Sequence, residues 1–285
     1  MNLRHLTART AIAGVATALA AGALVGVSTT AANAVENTTS YECSALGASQ
    51  GQFALNISTP VIPPEATAGQ SFPAGLLALD AKITVPSASA QLLGSFGVNG
   101  GRIDDFAGAL GTTKLAAPLT FGAPAPQTDG SAVLTGAGAV GAFSLPKAGT
   151  YKVQLPKAFT FTPTTASGDL TFNGQPITLA CTSAAPGDLG SVKVTKADAA
   201  LKAKAAKAGK KGYKVTVTVT RVDKQGAKAT GKVTAKFGKT KVTKAVKKGK
   251  AVIKLPKSAA GKKVKLTYTG DAFVKGAKGS VKIKK

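Results

Sequence analysis

Short runs of alternating apolar and polar residues, separated by turn residues, dominate this chain of 285 residues. In the first half, proline and glycine recur about every ten residues, and segments with β character lie between them. Ile83 and Val85 alternate with polar neighbours, as do Phe159 and Phe161, so each pair points to one face. The pattern predicts an all-β fold with a β-sandwich in this half. Its predicted strands are Phe53–Ile57, Leu79–Val85, Lys152–Leu155, Ala158–Thr162, Asp169–Phe172 and Pro176–Cys181.

One segment of the first half favours a helix instead. Ser87–Gly94 follows Pro86 and is long enough for one or two helical turns. We expect its apolar pair, Leu92 and Leu93, to cover an end of the sandwich.

The second half repeats the alternating pattern with lysine on the polar side. Tyr213–Thr220 places tyrosine and three valines on one face, and Arg221–Val222 breaks that register, which predicts a strand end or a bulge. Ala199–Ala208 has the composition of a helix but also fits an edge strand, and we favour the strand. The remaining predicted strands are Gly231–Phe237, Lys241–Val246, Ala251–Leu255, Val264–Tyr268 and Val281–Ile283. About seven strands in this length predict an immunoglobulin-like sandwich.

Charge is divided very unevenly along the chain. Residues 35–190 carry nine acidic against six basic side chains, a net charge of −3. Residues 191–285 carry 28 lysines and one arginine against only Asp198, Asp223 and Asp271, a net charge of +26. This step predicts a domain boundary, which we place in the turn-rich linker 184–190, between domains at 35–183 and 191–285.

The lysine excess has two explanations. The lysines could form the solvated outer face of a small sandwich, which protects edge strands and keeps the chain soluble. They could instead bind an anionic polymer, because +26 far exceeds the charge of about 2–8 that solubility requires. We favour the second hypothesis. The candidate binding residues are Lys232, Lys236, Lys239, Lys241, Lys244, Lys247, Lys248, Lys254, Lys263, Lys265, Lys282 and Lys284.

The choice of lysine narrows the class of polymer. Arginine forms forked contacts with phosphates and base edges, whereas lysine is a point charge. With one arginine and few aromatic residues in this half, we expect non-specific, salt-dependent binding and no sequence-specific recognition of nucleic acid. Anionic cell-envelope polymer is the expected partner, since an exported chain meets it first.

The N-terminus has the order of regions that is typical of a secretory signal peptide. Arg4 and Arg9 precede an uncharged apolar stretch at 11–27, and Ala32–Ala34 supplies the small residues of a cleavage site after Ala34. A membrane anchor is the alternative, but this Ala/Gly-rich stretch is marginal for a span of about 20 residues. No later stretch is long and apolar enough to cross a membrane, and no wall-sorting motif is visible. We therefore expect a secreted protein, extracellular or non-covalently associated with the cell wall.

Histidine and cysteine usage restricts the chemistry. Cleavage of the leader would remove His5, the only histidine, which excludes histidine-dependent triads and imidazole metal sites. Export favours oxidation, so Cys43 and Cys181 predict a structural disulfide. It would close a loop of about 139 residues, which the chain-entropy model credits with at most roughly 5 kcal/mol. Asp104–Asp105 is a lone carboxylate pair, and we interpret it as a surface loop.

Four segments of the first half follow a known domain pattern: Tyr41–Cys43, Pro64–Gln70, Gly149–Val153 and Ile177–Cys181. On these segments, roughly residues 39–183 resemble a family of domains of unknown function found in secreted actinobacterial proteins. The cysteine-bearing segments are the most specific part. The resemblance implies export and a β fold, and it implies no activity.

The second half also follows a known pattern, in Gly231–Ala235, Lys250–Pro256, Ala260–Asp271 and Phe273. On these segments it resembles a bacterial immunoglobulin-like repeat domain. The resemblance implies a spacer or adhesion module at a cell surface. The lysine content departs from that family and is not required by the fold.

We therefore expect an all-β protein of two β-sandwich domains, the second immunoglobulin-like, without cofactor or metal. The expected function is that of a secreted, non-catalytic, envelope-associated or adhesive protein. A structural spacer that presents the first domain to an unknown protein or carbohydrate is the alternative, and a carboxylate-based enzyme in residues 35–190 is less favoured. An exposed apolar patch would favour a partner surface, and a carboxylate pair in a deep pocket would favour the enzyme.

Overall fold

The structure, a computed structural model, describes residues 35–60, 62–209 and 212–284. The leader expected at residues 1–34, with its cleavage site at Ala34, lies outside these described residues. The described chain is almost entirely β-structure, which confirms the all-β prediction.

The first half contains nineteen strands and one helix. Most of the strands are short because glycine and proline punctuate the sequence, and the two longest are consecutive at the start. In chain order they are β1 Val35–Ala45, β2 Ala48–Thr59, β3 Glu65–Thr67, β4 Ser71–Phe72, β5 Ala78–Val85, α1 Ser87–Ser95, β6 Gly100–Ile103, β7 Ala107–Leu110, β8 Thr113–Ala116, β9 Leu119–Phe121, β10 Ala125–Pro126, β11 Ala132–Ala139, β12 Phe143–Ser144, β13 Gly149–Gln154, β14 Ala158–Thr165, β15 Gly168–Asp169, β16 Thr171–Phe172, β17 Gln175–Pro176, β18 Leu179–Thr182 and β19 Asp188–Thr195.

The main sheet of the first half closes on itself. Its strands pair in the order β11-β5-β2-β1-β18-β14-β6-β9, and β9 then pairs with β11. The first half therefore has a closed main sheet where two facing sheets of a sandwich were expected. The inward residues of this closed sheet belong to one apolar core. Glycine makes the closure possible: a Cβ on Gly136 would lie 2.5 Å from the Thr120 carbonyl oxygen, and one on Gly138 would lie 2.3 Å from the Pro118 carbonyl oxygen.

A second sheet of the first half has the order β3-β19-β13-β7-β8 and corrects the predicted boundary. Residues 188–195 form β19, which pairs with β13 and β3, and its Leu189, Val192 and Val194 are buried in the first core. The small turn residues at 183–187 connect β18 to β19 within the first domain. The connection to the second domain is therefore 196–198 rather than 184–190.

The predicted disulfide is present between Cys43 and Cys181. The two residues face each other in the register of β1 and β18, with their Cα atoms 4.0 Å apart, and both are buried. The bridge joins neighbouring strands of the closed sheet and spans 138 residues of chain.

The helix prediction is confirmed by α1, but its two leucines differ in environment. Leu93 is buried in the core, as expected of a residue that covers the end of the sheet. Leu92 is half exposed and faces outward instead.

The second half forms two sheets that pack around a separate core. The segment at Ala199–Ala208 forms a strand, as favoured above, because its inner residues pair along the whole of the next strand. A 3₁₀ turn lies at Lys257–Ala259. The strands are β20 Ala199–Lys207, β21 Tyr213–Arg221, β22 Lys232–Phe237, β23 Thr240–Ala245, β24 Lys250–Leu255, β25 Lys263–Tyr268 and β26 Ala277–Lys282.

The two sheets of the second half have the orders β20-β21-β24 and β23-β22-β25-β26. Both halves belong to one compact unit. Phe273 packs against both apolar cores. The backbone N–H of Ala197 donates a hydrogen bond of 2.9 Å to the backbone carbonyl oxygen of Phe273. The Lys275 N–H donates to the Ala197 carbonyl oxygen at 2.8 Å, so the short connection is itself hydrogen-bonded.

Candidate functional site

The outer side of the four-stranded sheet is a lysine surface, which we call the lysine face. Alternate residues of each strand point away from the core, and the cross-strand register places these lysines on the same side. All of them are exposed. The lysine face consists of Lys232, Lys236, Lys241, Lys263, Lys265, Lys278 and Lys282.

Three of these lysines form a row across the sheet. Lys236 on β22 lies directly opposite Lys241 on β23 and Lys265 on β25. Adjacent strands are about 4.8 Å apart, and like charges opposite each other destabilise a sheet. A bound anion would reduce the repulsion among these three lysines, which favours binding of negatively charged groups at this row.

None of the three acidic residues of the second half forms an ion pair with a lysine of the lysine face, within the described residues. Asp198 pairs with Lys275 at 2.9 Å, and Asp223 pairs with Arg221 at 2.7 Å. Asp271 organises the turn before Phe273 rather than forming an ion pair among the described residues. The described ion pairs of this half therefore leave the charges of the lysine face available to external anions.

Hydrogen bonds hold two of these carboxylates in their charged form. The Arg221 guanidinium donates to Asp223 and lowers the pKa of that carboxyl. Burial raises the pKa of Asp271, but hydrogen bonds donated by Thr230, Phe273 and Val274 outweigh it, and the net pKa is lowered. Both groups have a structural role.

The structure brings half of the twelve predicted binding lysines together on the lysine face. Lys254 lies on the outer side of the other sheet, and Lys244 lies opposite buried Val233 on an edge strand. Lys239, Lys247 and Lys248 are in turns, and Lys284 follows the last strand. Lys278, which lies opposite Thr267, also belongs to the lysine face but was not among the predicted residues.

The outer side of the three-stranded sheet is a second basic surface, of which only Lys254 was among the predicted binding residues. It carries Lys202 and Lys204 on β20, Lys214 on β21, and Lys250 and Lys254 on β24. Threonines 216 and 218 separate several of these lysines, so the charge is less concentrated than on the lysine face.

The strand β21 ends at Arg221, which confirms the predicted strand end, but the alternation of inward and outward residues is not broken there. Arg221 occupies the next inward position after Val219 and is buried. Its neighbour Val222 is the residue that turns out to solvent. The alternation in Tyr213–Thr220, continued by one residue, places Arg221 on the buried side of the strand. The burial of Arg221 was therefore predictable from the sequence.

An apolar groove lies at the end of the closed sheet that carries α1, and we call it the end groove. Its volume is about 240 Å³, and its polar side chains are Gln50 and Ser89. The Ser89 hydroxyl already donates to the Gln50 carbonyl oxygen at 2.6 Å. The exposed apolar side chains around it are Leu46 (76 % exposed), Phe172 (57 %), Phe96 (54 %) and Leu92 (49 %).

The carboxylate pair of the first half has structural contacts. Asp104 forms an ion pair with Arg102 at 2.7 Å, and Asp105 accepts a hydrogen bond from the Thr160 N–H at 2.9 Å. Across the described ranges, no group of three or more metal-ligating side chains lies close enough to hold an ion. No helix in those ranges is sufficiently long and apolar to span a membrane.

The fold and its surfaces define an all-β protein with a disulfide-bridged closed sheet and a lysine-rich sandwich. Residues 40–191 match a family of unknown function (DUF6801), and the chain belongs to that family. The matched region ends inside β19, in agreement with the structural assignment of this strand to the first domain. No curated protein matches the chain.

Proposed function

We propose that this is a secreted, non-catalytic protein that attaches to the cell envelope through its lysine-rich domain. The observation that supports the proposal is the lysine face, where seven lysines share one side of a sheet and no acidic residue of the second half neutralises them. The expected ligand is an anionic envelope polymer, bound non-covalently and without sequence specificity.

The second domain is, in this proposal, an immunoglobulin-like surface module. Its two sheets of three and four strands have the size and strand number of that class. One strand departs from the constant-type arrangement: β23 pairs with β22 in the four-stranded sheet instead of joining β24. This departure enlarges the lysine face, because it brings Lys241 beside Lys236.

Secretion rests on the leader-like N-terminus and on the disulfide. A buried, fully formed bridge between Cys43 and Cys181 is typical of oxidising compartments. Both features support an extracellular location, which brings the lysine face into contact with envelope polymer.

Binding of the full chain to soluble poly(glycerol phosphate) tests the proposal. We expect strong binding at low salt and a linear fall of log K with log salt concentration. The variant K236Q/K241Q/K265Q should bind more weakly, with a slope shallower by about 2 to 3, because each lost phosphate contact removes about 0.7 to 0.9.

The matched control is K202Q/K214Q/K254Q, which removes the same charge from the opposite sheet. If both triple variants lost affinity equally, total charge and not the lysine face would explain the binding. If the wild-type chain failed to bind at low salt, the proposal would be rejected.

A second candidate function is supported by the end groove: a spacer whose first domain binds a partner protein. Four exposed apolar side chains around one groove are unusual for a surface that meets only water. Because its two polar side chains leave few hydrogen-bonding groups for sugar hydroxyls, an apolar protein segment fits it better than a carbohydrate.

Cell fractionation separates the two candidates. If the lysine face attaches the protein to the envelope, a salt wash should release the full chain from cells, and the variant K236Q/K241Q/K265Q should not be retained. If the end groove binds a partner protein, retention should survive the salt wash and should be lost in the variant L46S/F172S. The exposure of Leu46 and Phe172 makes both substitutions compatible with folding.

A further inference from the structure

Two asparagines of this chain are each followed by a glycine: Asn99 precedes Gly100, and Asn173 precedes Gly174. The backbone nitrogen of the residue after an asparagine can attack the side-chain amide of that asparagine. Glycine hinders this attack least, because it has no Cβ. The two sites share the same dipeptide, so a difference between them has to come from the structure.

Asn173 and Gly174 form the two-residue turn between β16 and β17. Their φ values are +51° and +76°, which is the conformation that favours an Asn-Gly pair in a hairpin turn. Both residues are exposed, as are the four strand residues beside them, and a Cβ on Gly174 would meet no atom within 4 Å. The Gly174 N–H donates no backbone hydrogen bond within the described ranges. The attacking nitrogen and the amide are therefore both open to water.

The hairpin that carries this turn is too short to hold it firmly. β16 and β17 have two residues each and form a two-stranded sheet of their own. Isolated two-stranded hairpins are marginally stable in water, and exposed segments of this kind open at little cost in free energy. Ring closure between the Gly174 nitrogen and Asn173 Cγ requires rotation about the Asn173 backbone. Easy opening of the hairpin permits that rotation while the rest of the chain stays folded.

Asn99, in contrast, is held in place by the closed sheet. Its backbone N–H donates to the Thr164 carbonyl oxygen at 2.9 Å. In the amide orientation that satisfies both side-chain atoms, Nδ2 donates to the same oxygen at 3.1 Å, and Oδ1 accepts from the Ala166 N–H at 3.1 Å. Gly100 is buried in β6 and pairs with Thr164. Rotation of Asn99 toward the Gly100 nitrogen would break these hydrogen bonds.

We propose that Asn173 is a site of spontaneous deamidation in the folded protein and that the fold protects Asn99 from the same reaction. The Gly174 nitrogen loses its proton and bonds to Asn173 Cγ, while the Cγ–Nδ2 bond breaks and releases ammonia. Water then opens the resulting succinimide. Attack at Cγ gives aspartate, and attack at the backbone carbonyl carbon gives isoaspartate. The net reaction consumes one water and releases one ammonia.

The modification changes the rim of the end groove. Both products place a carboxylate next to Phe172, one of the exposed apolar side chains of that groove. Isoaspartate also lengthens the backbone of the turn by one carbon. A charge at this rim opposes the docking of an apolar segment, because the carboxylate would have to be desolvated. The inference goes beyond the proposed function, since the reaction at Asn173 does not depend on what binds the groove or the lysine face.

Peptide mapping by mass spectrometry, after incubation of the full chain at mildly alkaline pH, tests the site. We expect aspartate and isoaspartate to accumulate at Asn173 in the folded chain, with Asn99 unchanged. In guanidinium chloride both asparagines should react at comparable rates, because unfolding removes the hydrogen bonds that hold Asn99. The matched variant N173Q should lose the modification, since glutamine would have to close a larger ring, and its exposed position makes the substitution compatible with folding.

Absence of product at Asn173 in the folded chain would overturn the proposal. Equal conversion of Asn99 and Asn173 before unfolding would also overturn it, because sequence alone would then explain the reaction. If Asn99 stayed unmodified in guanidinium chloride as well, its protection would not come from the fold, and that part of the proposal would be rejected.

Discussion

At the scale of single residues, Asp271 shows how one carboxylate organises the second domain. Its Oδ1 accepts hydrogen bonds from the Phe273 and Val274 N–H groups, each at 2.8 Å. Its Oδ2 accepts from the N–H and hydroxyl of Thr230, at 2.7 and 2.8 Å. Asp271 therefore joins two loops at the end of the sandwich that contacts the first domain.

Replacement of Asp271 by asparagine should lower the free energy of unfolding by about 1–3 kcal/mol at neutral pH, because an amide NH₂ cannot accept the bonds from Thr230. The pKa of Asp271 is lower in the folded chain, so its stabilisation is complete above the unfolded pKa and is lost as pH falls through the folded pKa. Urea unfolding of the wild type and the variant, at neutral and at strongly acid pH, measures the difference in their free energies of unfolding. A difference between wild type and variant that did not shrink in acid would contradict the assigned role.

Residue patterns also show what could be predicted from the sequence at this scale. The pairing of Cys43 with Cys181 followed from composition and compartment alone, since the chain has no other cysteine. The burial of Arg221 was missed, because an arginine beyond a valine row is normally a strand end. Only the position of Asp223, two residues further on, makes the buried position tolerable.

At the scale of elements, closure of the first sheet depends on close contact between β9 and β11. Gly136 lies opposite Phe121 and Gly138 lies opposite Leu119 in this pairing. Neither glycine is needed for a positive φ. Their role is steric, because a Cβ on either would overlap a carbonyl oxygen of the neighbouring strand segment.

Gly138→Ala should therefore destabilise the chain by about 1–3 kcal/mol, since backbone must move to admit the methyl group. The control is Gly122→Ala, where the nearest atom to the new Cβ is 3.8 Å away. That variant should be neutral or gain about 0.4–1 kcal/mol from reduced freedom of the unfolded chain. Thermal and urea unfolding compare the two, and equal effects would show that closure does not depend on this contact.

At the scale of the whole molecule, the contacts between the two domains include a short connection, a shared aromatic side chain and the close approach of Gly69 to Gly226 and Arg221. Residues 196–198 are the only covalent link between β19 and β20, and Ala197 pairs with the segment around Val274. Phe273 packs against both cores. We expect the domains to unfold cooperatively.

Calorimetry of the full chain should accordingly show one transition, and Phe273→Ala should split it into two. The reason is that Phe273 is the side chain that packs against both cores, so its truncation weakens their coupling and leaves each core otherwise complete. Phe172→Ala is the control, because Phe172 is exposed at the end groove and contacts no second core. Two independent transitions in the wild type would contradict this coupling.

The alternation of apolar and polar residues determined by itself that this chain is all-β and which side of many strands is apolar. Residue counts alone determined that the net positive charge lies almost entirely in the second half. These are local properties of the sequence. Tertiary structure alone decided the closure at Gly136 and Gly138, the membership of β19 in the first domain and the grouping of seven lysines on one face. Each depends on the register and order of strands far apart in the chain, and a local period carries no information about those long-range pairings.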